Sequence, residues 1–250
     1  MRHLFDCWRQ VVARAHAAGS VALFLDFDGT LAPFTSRPED ARMSHATRDA
    51  LARLAIHPRV HVAVISGRRR ADVQMRAGVA RVRYLGLHGW ESGLPPRLPP
   101  EIQWLLERIK RTLARRVEGM PGIRFEDKGP VFSVHYRGAS DQYIGEARSA
   151  IRAALSSTRA FRVIPGKLTW EVLPWDIGDK GTAVRHQLRL LPGNVLPVYA
   201  GDDRTDEPAF RALPHGITIR VGRRALTRAR FQLRDPREVR SFLEELRAAF

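Results

Sequence analysis

The sequence predicts an α/β fold, in which a parallel sheet flanked by helices carries an inserted, smaller α/β domain with an antiparallel sheet. Residues 21–25 and 60–65 are continuous apolar runs that alternate with predicted helices, as is typical of parallel strands covered on both faces. Residues 132–137 and 167–172 instead alternate between apolar and polar side chains, which is typical of an antiparallel sheet covered on one face. With 250 residues, of which 44% are hydrophobic, the chain can bury a sizeable core and form one or two domains.

The elements of the main part follow from apolar spacing and from capping residues. Apolar residues at helical spacing predict the helices, and Ser44 and Thr47 are candidate caps of the second one. The predicted helices are residues 4–17, 44–56, 72–77, 180–191 and 237–250. Short apolar runs predict the strands between them, at residues 21–25, 60–65, 84–87, 195–200 and 217–221.

The inserted domain begins at a proline-rich stretch. Residues 93–100 contain four prolines, which disrupt helices and strands alike, so this stretch predicts a domain boundary. Beyond it we predict helices at residues 101–117 and 142–155 and strands at residues 124–126, 131–136, 161–164 and 168–173, the last two joined by a hairpin turn at residues 165 and 166. The predicted domains are therefore residues 1–91 with 175–250 for the core and residues 92–174 for the inserted cap.

The composition predicts a cytoplasmic protein. The amino terminus contains an acidic residue and no apolar run, unlike a signal peptide, and no segment is long and apolar enough to cross a membrane. The single cysteine, Cys7, excludes an internal disulfide. We expect a monomer with no membrane partner.

The chain carries a net charge of +16, which raises the question of nucleic-acid binding. The basic residues are scattered, however, and the densest run, residues 68–70, has no aromatic residues interleaved with it, so we expect no nucleic-acid partner. Only four of the 42 basic residues are lysines, at positions 110, 128, 167 and 180. Lysine in such an arginine-rich chain indicates sites where a compact ammonium group is needed.

Two carboxylates, Asp26 and Asp28, follow the strand at residues 21–25. Ligands bind at the carboxyl ends of strands in α/β sheets, and side chains two positions apart in an extended chain lie on the same side. Two like charges so close together need a cation or a shared proton, and a divalent cation is the simplest solution. The alternative is a tight turn at residues 28–30, with Asp26 as an ordinary acid at the end of a strand.

A hydroxyl group stands at the equivalent place after the next strand. Ser66, followed by Gly67, ends residues 60–65, and a hydroxyl with backbone N–H groups at such a place can bind a phosphate. Arg68 is a further candidate for the same role. Alternatively, Ser66 and Gly67 form an ordinary turn or cap.

A second acidic pair, Asp202 and Asp203, follows the strand at residues 195–200. The carboxyl ends of parallel strands meet at one edge of a sheet, so this pair is expected beside the first one. Carboxylates without nearby Cys or His favour a hard cation, and Mg²⁺ suits a site that also holds a phosphate. Thr205 and Asp206 can also act simply as caps of the next helix.

These segments resemble the four motifs of the haloacid-dehalogenase phosphohydrolases. D-x-D-G-T-L occupies residues 26–31, Ser66 and Lys180 match the second and third motifs, and G-D-D-x-T-D occupies residues 201–206. The resemblance implies a Rossmann-like core, with Asp26 as the nucleophile that forms an aspartyl-phosphate and Asp28 as the acid and base. The other roles that it implies are phosphate binding by Thr30, Ser66 and Gly67, charge neutralisation by Lys180, Mg²⁺ ligation by Asp26, Asp202 and the backbone carbonyl of Asp28, and an outer shell of Asp203 and Asp206.

The inserted domain makes the resemblance more specific. Its polar positions read E-x-K at residues 126–128, H-Y-R at 135–137 and G-K-x-x-x-E-V-x-P at 166–174, so that residues 20–245 resemble the trehalose-6-phosphate phosphatases. The resemblance implies a sugar-phosphate substrate, trehalose 6-phosphate, and we expect the polar face of the cap to point toward the catalytic pocket. The side chains that it implies for the sugar hydroxyls are Glu126, Arg137, Lys167 and Glu171, with Lys128 and His135 nearby.

One position departs from the pattern of that family. Its E-V-R-P motif usually has an arginine where this chain has Leu173, so another sugar phosphate, such as sucrose phosphate, is an alternative substrate. A phosphomutase and a binding module without catalysis are further alternatives, and the intact catalytic motifs argue against the binding module. Lys167 and Glu171 can also form an ordinary exposed pair on a hairpin.

Overall fold

The computed structural model describes residues 1–35, 37–92, 97–223 and 226–250. The chain forms two compact units, one made of Met1–Leu94 with Gly178–Phe250 and the other of Pro95–Ile177. Half of the proline-rich stretch predicted as a boundary, residues 93–96, lies outside the described residues. The domain boundaries predicted from the sequence, with a cap at residues 92–174, stay a prediction.

Strands and helices alternate along the larger unit, as the apolar pattern predicts. In chain order, the strands of the described residues are β1 Arg2–His3, β2 Ser20–Leu25, β3 Val60–Ile65, β4 Arg83–Leu85, β5 Arg124–Asp127, β6 Phe132–His135, β7 Phe161–Gly166, β8 Thr169–Pro174, β9 Val195–Gly201, β10 Ile217–Val221 and β11 Phe231–Leu233. The α-helices are α1 Trp8–Ala17, α2 His45–Ala55, α3 Arg70–Ala77, α4 Pro100–Val117, α5 Asp141–Leu155, α6 Lys180–Arg189, α7 Glu207–Ala212 and α8 Pro236–Ala248. None of these helices combines the length and the apolar character that crossing a membrane requires.

The described residues of the larger unit form a seven-stranded parallel sheet with the order β1-β11-β10-β9-β2-β3-β4. β2 lies between β9 and β3, and its last residue, Leu25, is in register with Ala200 and Val64. Because these strands are parallel, the residues that follow β2, β3 and β9 meet at one edge of the sheet. The predicted fold class is confirmed.

The continuous apolar run of β2 contributes to two separate cores. Val21, Leu23 and Leu25 belong to a core formed with helices α1, α2, α3 and α8, whereas Ala22 and Phe24 belong to a second core formed with α6 and α7. Alternate residues of a strand point to opposite faces, so a strand with helices on both sides needs apolar residues at every position. This packing explains why the run shows no alternation.

The smaller unit contains a four-stranded antiparallel sheet with the order β5-β6-β8-β7. Phe132, Trp170 and Val172 are buried on one face with apolar residues of α4 and α5, which confirms the predicted apolar face. The opposite face carries Ser133 and Glu171, which are only 1% and 6% exposed. The polar face therefore contains buried groups that the alternating pattern does not predict.

Two features of the strands differ from the prediction. The strand predicted at residues 84–87 ends at Leu85, because Leu87 and His88 adopt left-handed conformations with φ of 48° and 60°. The sequence pattern also does not predict the short strands β1 and β11, since two or three residues are too few to show a period.

The turn between β7 and β8 lies two residues later than predicted. Pro165 and Gly166 belong to β7, where they pair with Trp170 and Thr169 of β8. Proline is tolerated there because β7 is an edge strand and needs no second partner for that residue. The predicted hairpin is therefore present, but its turn consists of residues 167 and 168.

Helix α8 provides a test of how capping stabilises the larger unit. Asp235 accepts hydrogen bonds from the backbone N–H groups of Arg237 (2.8 Å) and Glu238 (3.1 Å), which have no partner within the helix. We expect Asp235→Ala to lower the free energy of unfolding by about 1 kcal/mol, measured by urea denaturation. Asp235→Asn keeps an acceptor and should stay close to the unmodified protein, and an equal loss in both variants would contradict the capping role.

Candidate active site

A buried lysine joins two carboxylates at the carboxyl-end edge of the parallel sheet. Nζ of Lys180 lies 2.6 Å from Oδ1 of Asp26 and 2.7 Å from Oδ1 of Asp206. These three side chains are all buried. Lys180 is the first residue of α6, and Asp179 caps this helix by accepting a hydrogen bond from the backbone N–H of Thr182 (2.8 Å). The structure thus brings together candidates from three distant segments.

Burial makes the charges of this group depend on one another. Burial raises the pKa of Asp26; Lys180 opposes this shift, but Asp206 and Asp202 add to it, so the pKa lies well above its usual value. Burial lowers the pKa of Lys180, but Asp206 and Asp26 together raise it well above its usual value. Burial also raises the pKa of Asp206, yet Lys180 reverses that shift and the pKa is lowered. The ammonium group is therefore held charged, whereas burial and the neighbouring acids shift Asp26 toward its protonated form.

Three carboxylates at this edge fit a divalent cation. Asp26, Asp202 and Asp206 each have an oxygen within 4.8 Å of the other two. Hard divalent cations prefer such oxygen-only donors. Gly29 makes room for this group, because a Cβ at that position would lie 2.1 Å from Oδ2 of Asp202. Its φ of 84° is also a conformation that glycine adopts readily.

Both carboxylate oxygens of Asp206 also accept hydrogen bonds from the protein. Oδ1 accepts from the hydroxyl of Tyr199 (2.7 Å) as well as from the lysine, and Oδ2 accepts from the backbone N–H of Asp203 (2.8 Å). Asp206 thus both belongs to the acidic group and completes a capping box with Asp203 at the short helical turn Arg204–Asp206. Its side chain makes no capping hydrogen bond to α7, so the structure does not show the alternative of a cap on that helix. Sequence reasoning missed Tyr199, because an aromatic residue inside an apolar strand has the pattern of an ordinary core residue.

The second carboxylate of the first motif, Asp28, has a different partner. Nε and Nη2 of Arg68 donate to its two oxygens, Oδ2 and Oδ1, each over 2.7 Å. Nη1 of the same guanidinium donates to Oδ2 of Asp72 (2.9 Å). Burial lowers the pKa of Arg68, but the contacts with both carboxylates raise it above its usual value. The sequence indicated Arg68 only as a candidate for phosphate binding, and this pairing was not predicted.

The candidate phosphate-binding residues follow β2 and β3, which are neighbours in the sheet. Ser66 is 1% exposed, and its Oγ accepts a hydrogen bond from the backbone N–H of Arg68 (3.1 Å). Gly67 lies against the imidazole ring of His88. Thr30 is fully buried, and its Oγ1 has no hydrogen-bond partner among the described residues. A buried hydroxyl without a partner costs about 1–3 kcal/mol, so this position suits a residue that meets a bound oxygen.

In the smaller unit, four of the six candidate sugar-binding residues form one polar cluster. Nζ of Lys128 lies 2.8 Å from Oε1 of Glu171 and 4.0 Å from Oε2 of Glu126, and Nε2 of His135 lies 2.7 Å from the same oxygen of Glu126. Ser133 stands between the two acids in the register of the sheet. Burial raises the pKa of Glu126, but the hydrogen bond with His135 and the charge of Lys128 lower it to about 2. This carboxylate is therefore ionised throughout the neutral range.

The other two candidates lie near one end of the same sheet. The backbone N–H of Tyr136 donates to the carbonyl of Leu168 (3.0 Å), which brings the neighbouring residues Arg137 and Lys167 to that end. Glu171 is buried and pairs with Lys128, so the alternative of an ordinary exposed pair with Lys167 does not describe it. Leu173, which departs from the family pattern, is fully buried.

Comparisons with known proteins agree on one family. Residues 24–232 match the family model described as trehalose-phosphatase. A trehalose 6-phosphate phosphatase of Zea mays is 32% identical over 252 residues, which cover 90% of this chain and 69% of that protein. The trehalose-phosphate phosphatase of Mycobacterium tuberculosis is 35% identical over 241 residues, which cover 90% of this chain and 61% of that protein.

A solved structure shows the same fold. The C-terminal domain of the trehalose-6-phosphate phosphatase of C. albicans matches this chain with a TM-score of 0.81 and 22% identity, over 96% of each chain. The match covers both units of the chain, the parallel sheet and the smaller antiparallel one. From the family model and the Zea mays relative it follows that the chain belongs to the trehalose-phosphatase family.

Proposed function

We propose that this chain hydrolyses the phosphate ester of trehalose 6-phosphate to trehalose and inorganic phosphate. Membership of the trehalose-phosphatase family supports this reaction. The observation that carries the mechanism is the buried contact of 2.6 Å between Nζ of Lys180 and Asp26. A carboxylate and a phosphate repel each other, so an anionic nucleophile needs a fixed cation to approach the phosphorus atom.

In the first half of the reaction, an oxygen of Asp26 attacks the phosphorus atom. The bond between phosphorus and the sugar oxygen breaks, and Asp28 gives a proton to that oxygen as trehalose leaves. The phosphoryl group is then bound covalently to Asp26 as an aspartyl-phosphate. Thr30, Ser66 and Gly67 bind the phosphoryl oxygens in this proposal. The buried hydroxyl of Thr30, which has no hydrogen-bond partner in the described part of the chain, supports their role.

In the second half, Asp28 has lost its proton and acts as a base. It takes a proton from a water molecule, whose oxygen attacks the phosphorus atom. The bond to Asp26 breaks, which releases inorganic phosphate and restores the nucleophile. One water is consumed in each cycle, and Lys180 offsets the charge of Asp26 before and after the attack.

A Mg²⁺ ion is the cofactor that we propose. The residues that would hold it are Asp26, Asp202 and the backbone carbonyl of Asp28, with Asp203 and Asp206 in the outer shell. Bound there, the ion would supply positive charge to the phosphate and to the surrounding carboxylates. The oxygen-only donor set supports this choice of a hard cation, and a cation bound there would oppose the rise in the pKa of Asp26.

The sugar hydroxyls are recognised, in our proposal, by the polar side chains of the smaller unit. The residues concerned are Glu126, Lys128, His135, Arg137, Lys167 and Glu171. Charged groups that hydrogen-bond hydroxyls discriminate strongly against compounds that lack those hydroxyls, because the charged groups are then left unpaired. That this polar face points toward the catalytic pocket stays a prediction, as do the monomeric state and the cytoplasmic location.

Leu173 is the observation that favours a second candidate substrate. It is fully buried and has no polar group, so any contact that an arginine makes there in relatives is absent or supplied by another residue. Another sugar phosphate, such as sucrose phosphate, is therefore the second candidate. A phosphate-release screen across disaccharide and monosaccharide phosphates separates the two, and we expect trehalose 6-phosphate to give the highest kcat/KM.

The nucleophile is tested by Asp26→Asn. An amide cannot attack phosphorus, so phosphate release from trehalose 6-phosphate should fall by about 1,000-fold or more. Asp6→Asn makes the same chemical change at an exposed residue and should leave the rate unchanged. If Asp26→Asn kept its activity, the assignment of the nucleophile would be wrong and a role in binding alone would regain support.

The metal is tested by removal and return. Treatment with EDTA should stop phosphate release, and added Mg²⁺ should restore it, because the acidic group otherwise lacks a compensating charge. In Asp202→Asn, the Mg²⁺ concentration for half-maximal activity should rise by about tenfold or more. Full activity after complete removal of divalent cations would contradict the proposed cofactor, and Asp6→Asn again serves as the matched control.

The sugar-binding role is tested by Glu171→Gln, measured on two substrates. Loss of a charged hydrogen bond to the sugar should lower kcat/KM for trehalose 6-phosphate by about 10- to 100-fold. The same variant should largely retain activity on 4-nitrophenyl phosphate, which has no sugar, and this activity also reports correct folding. Glu118→Gln, at an exposed residue, should match the unmodified protein on both substrates. Equal losses of Glu171→Gln on both would refute the assignment.

A further inference from the structure

The guanidinium group of Arg68 fixes the carboxylate of Asp28 in place. Two parallel hydrogen bonds of 2.7 Å join them, from Nε to Oδ2 and from Nη2 to Oδ1. The side chain of Arg68 is only 12% exposed. A planar guanidinium presents its donors in fixed directions, so a two-bond contact sets both the distance and the plane of the carboxylate.

A chain of ion pairs anchors this guanidinium to helix α3. Its Nη1 donates to Oδ2 of Asp72 (2.9 Å), and Oδ1 of Asp72 accepts from Nε of Arg76 (2.7 Å) one turn further along the helix. Arg76 in turn donates to the backbone carbonyls of Glu39 (2.7 Å) and Ala41 (3.2 Å). The position of Arg68 is therefore set by its own surroundings as well as by its contact with Asp28.

The same residue borders the candidate phosphate-binding turn. The backbone N–H of Arg68 donates to Oγ of Ser66 (3.1 Å), so the turn and the guanidinium belong to one local structure. Asp28 is thus held on the side of the turn that follows β3, whereas Asp26, Asp202 and Asp206 form the acidic group. An in-line attack by Asp26 would put the leaving oxygen on the far side of the phosphorus atom from Asp26.

We propose that Arg68 is a positioning residue, which holds the carboxylate of Asp28 beside the phosphate-binding turn for proton transfer to the leaving oxygen. The inference rests on the proposed function, since it concerns the step in which Asp28 acts as the acid. A direct role in phosphate binding fits the geometry less well. Three of the five N–H groups of Arg68 donate to the carboxylates of Asp28 and Asp72, and these two acids together offset the positive charge that would attract a phosphate.

The test compares two leaving groups in Arg68→Gln. A sugar alkoxide needs a proton to leave, whereas 4-nitrophenolate leaves without one, and kcat/KM covers the steps up to its departure. Misplacement of Asp28 should lower kcat/KM for trehalose 6-phosphate by about 10- to 100-fold, and kcat/KM for 4-nitrophenyl phosphate should change by less than about threefold. The activity on the aryl ester also shows that the variant is folded.

Two further variants keep the test sharp if Arg68→Gln is poorly folded. Arg68→Lys keeps a cation but cannot form the two-bond contact, so it should show the same selective loss to a smaller degree. Arg69→Gln changes the neighbouring arginine, whose side chain is 57% exposed, and should behave as the unmodified protein.

A double variant decides between positioning and direct binding. Since Arg68 acts through Asp28, Arg68→Gln combined with Asp28→Asn should be no slower on the sugar ester than Asp28→Asn alone. Multiplied losses in the double variant, or equal losses of Arg68→Gln on both esters, would overturn the inference while leaving the phosphatase activity established. If the unmodified protein released no phosphate from trehalose 6-phosphate, the proposed function would fail instead, and the same comparison would be made on the best sugar ester of the screen.

Discussion

The ion pairs around Lys180 are the interaction on which the rest of the larger unit depends. Asp26, Lys180 and Asp206 are all withdrawn from water, and a buried charge that loses its partner is strongly destabilising. Removing Lys180 would leave two buried acids uncompensated, so the lysine must be delivered to the same place as both acids with little tolerance. The parallel sheet meets this requirement, because it ends β2 and β9 side by side and lets α6 begin where the strands end.

The close packing of the buried carboxylates also explains the glycines of the two acidic motifs. A Cβ on Gly29 would lie 2.1 Å from an oxygen of Asp202, and a Cβ on Gly201 would lie 2.2 Å from Cγ of Asp206. Each glycine therefore stands where a carboxylate from another part of the site occupies the space of a side chain. In both motifs a glycine stands next to an acid. The glycine is needed to make room for the carboxylates of the acidic group, in addition to any role in forming a turn.

Most of the fold could be predicted from the sequence, because each position of a helix or strand is apolar or polar according to whether it is buried. β3 and β10 were predicted with their observed bounds, since a strand covered on both faces needs an unbroken apolar run. Contacts between side chains that are far apart in the sequence produce no comparable pattern of apolar and polar residues. The contact of Arg68 with Asp28 spans forty positions, and the hydroxyl of Tyr199 is hidden in an apolar strand, so only the folded backbone reveals either. For Glu171 the prediction was partly correct. The sequence predicted that it lies on the polar face of the smaller sheet, but not that it is buried there.

The lysines of this arginine-rich chain show why two kinds of cation are used. Each of three lysines has its ammonium group between two acids: Lys180 between Asp26 and Asp206, Lys128 between Glu171 and Glu126, and Lys110 between Glu107 and Asp127. A compact ammonium with three donors can join two separate carboxylates, whereas the planar fork of Arg68 binds Asp28 with two parallel bonds. Lys110 has no part in the proposed reaction, yet it has the same surroundings. The arrangement is therefore a general solution for holding two acids together, and in the larger unit that solution coincides with the proposed nucleophile.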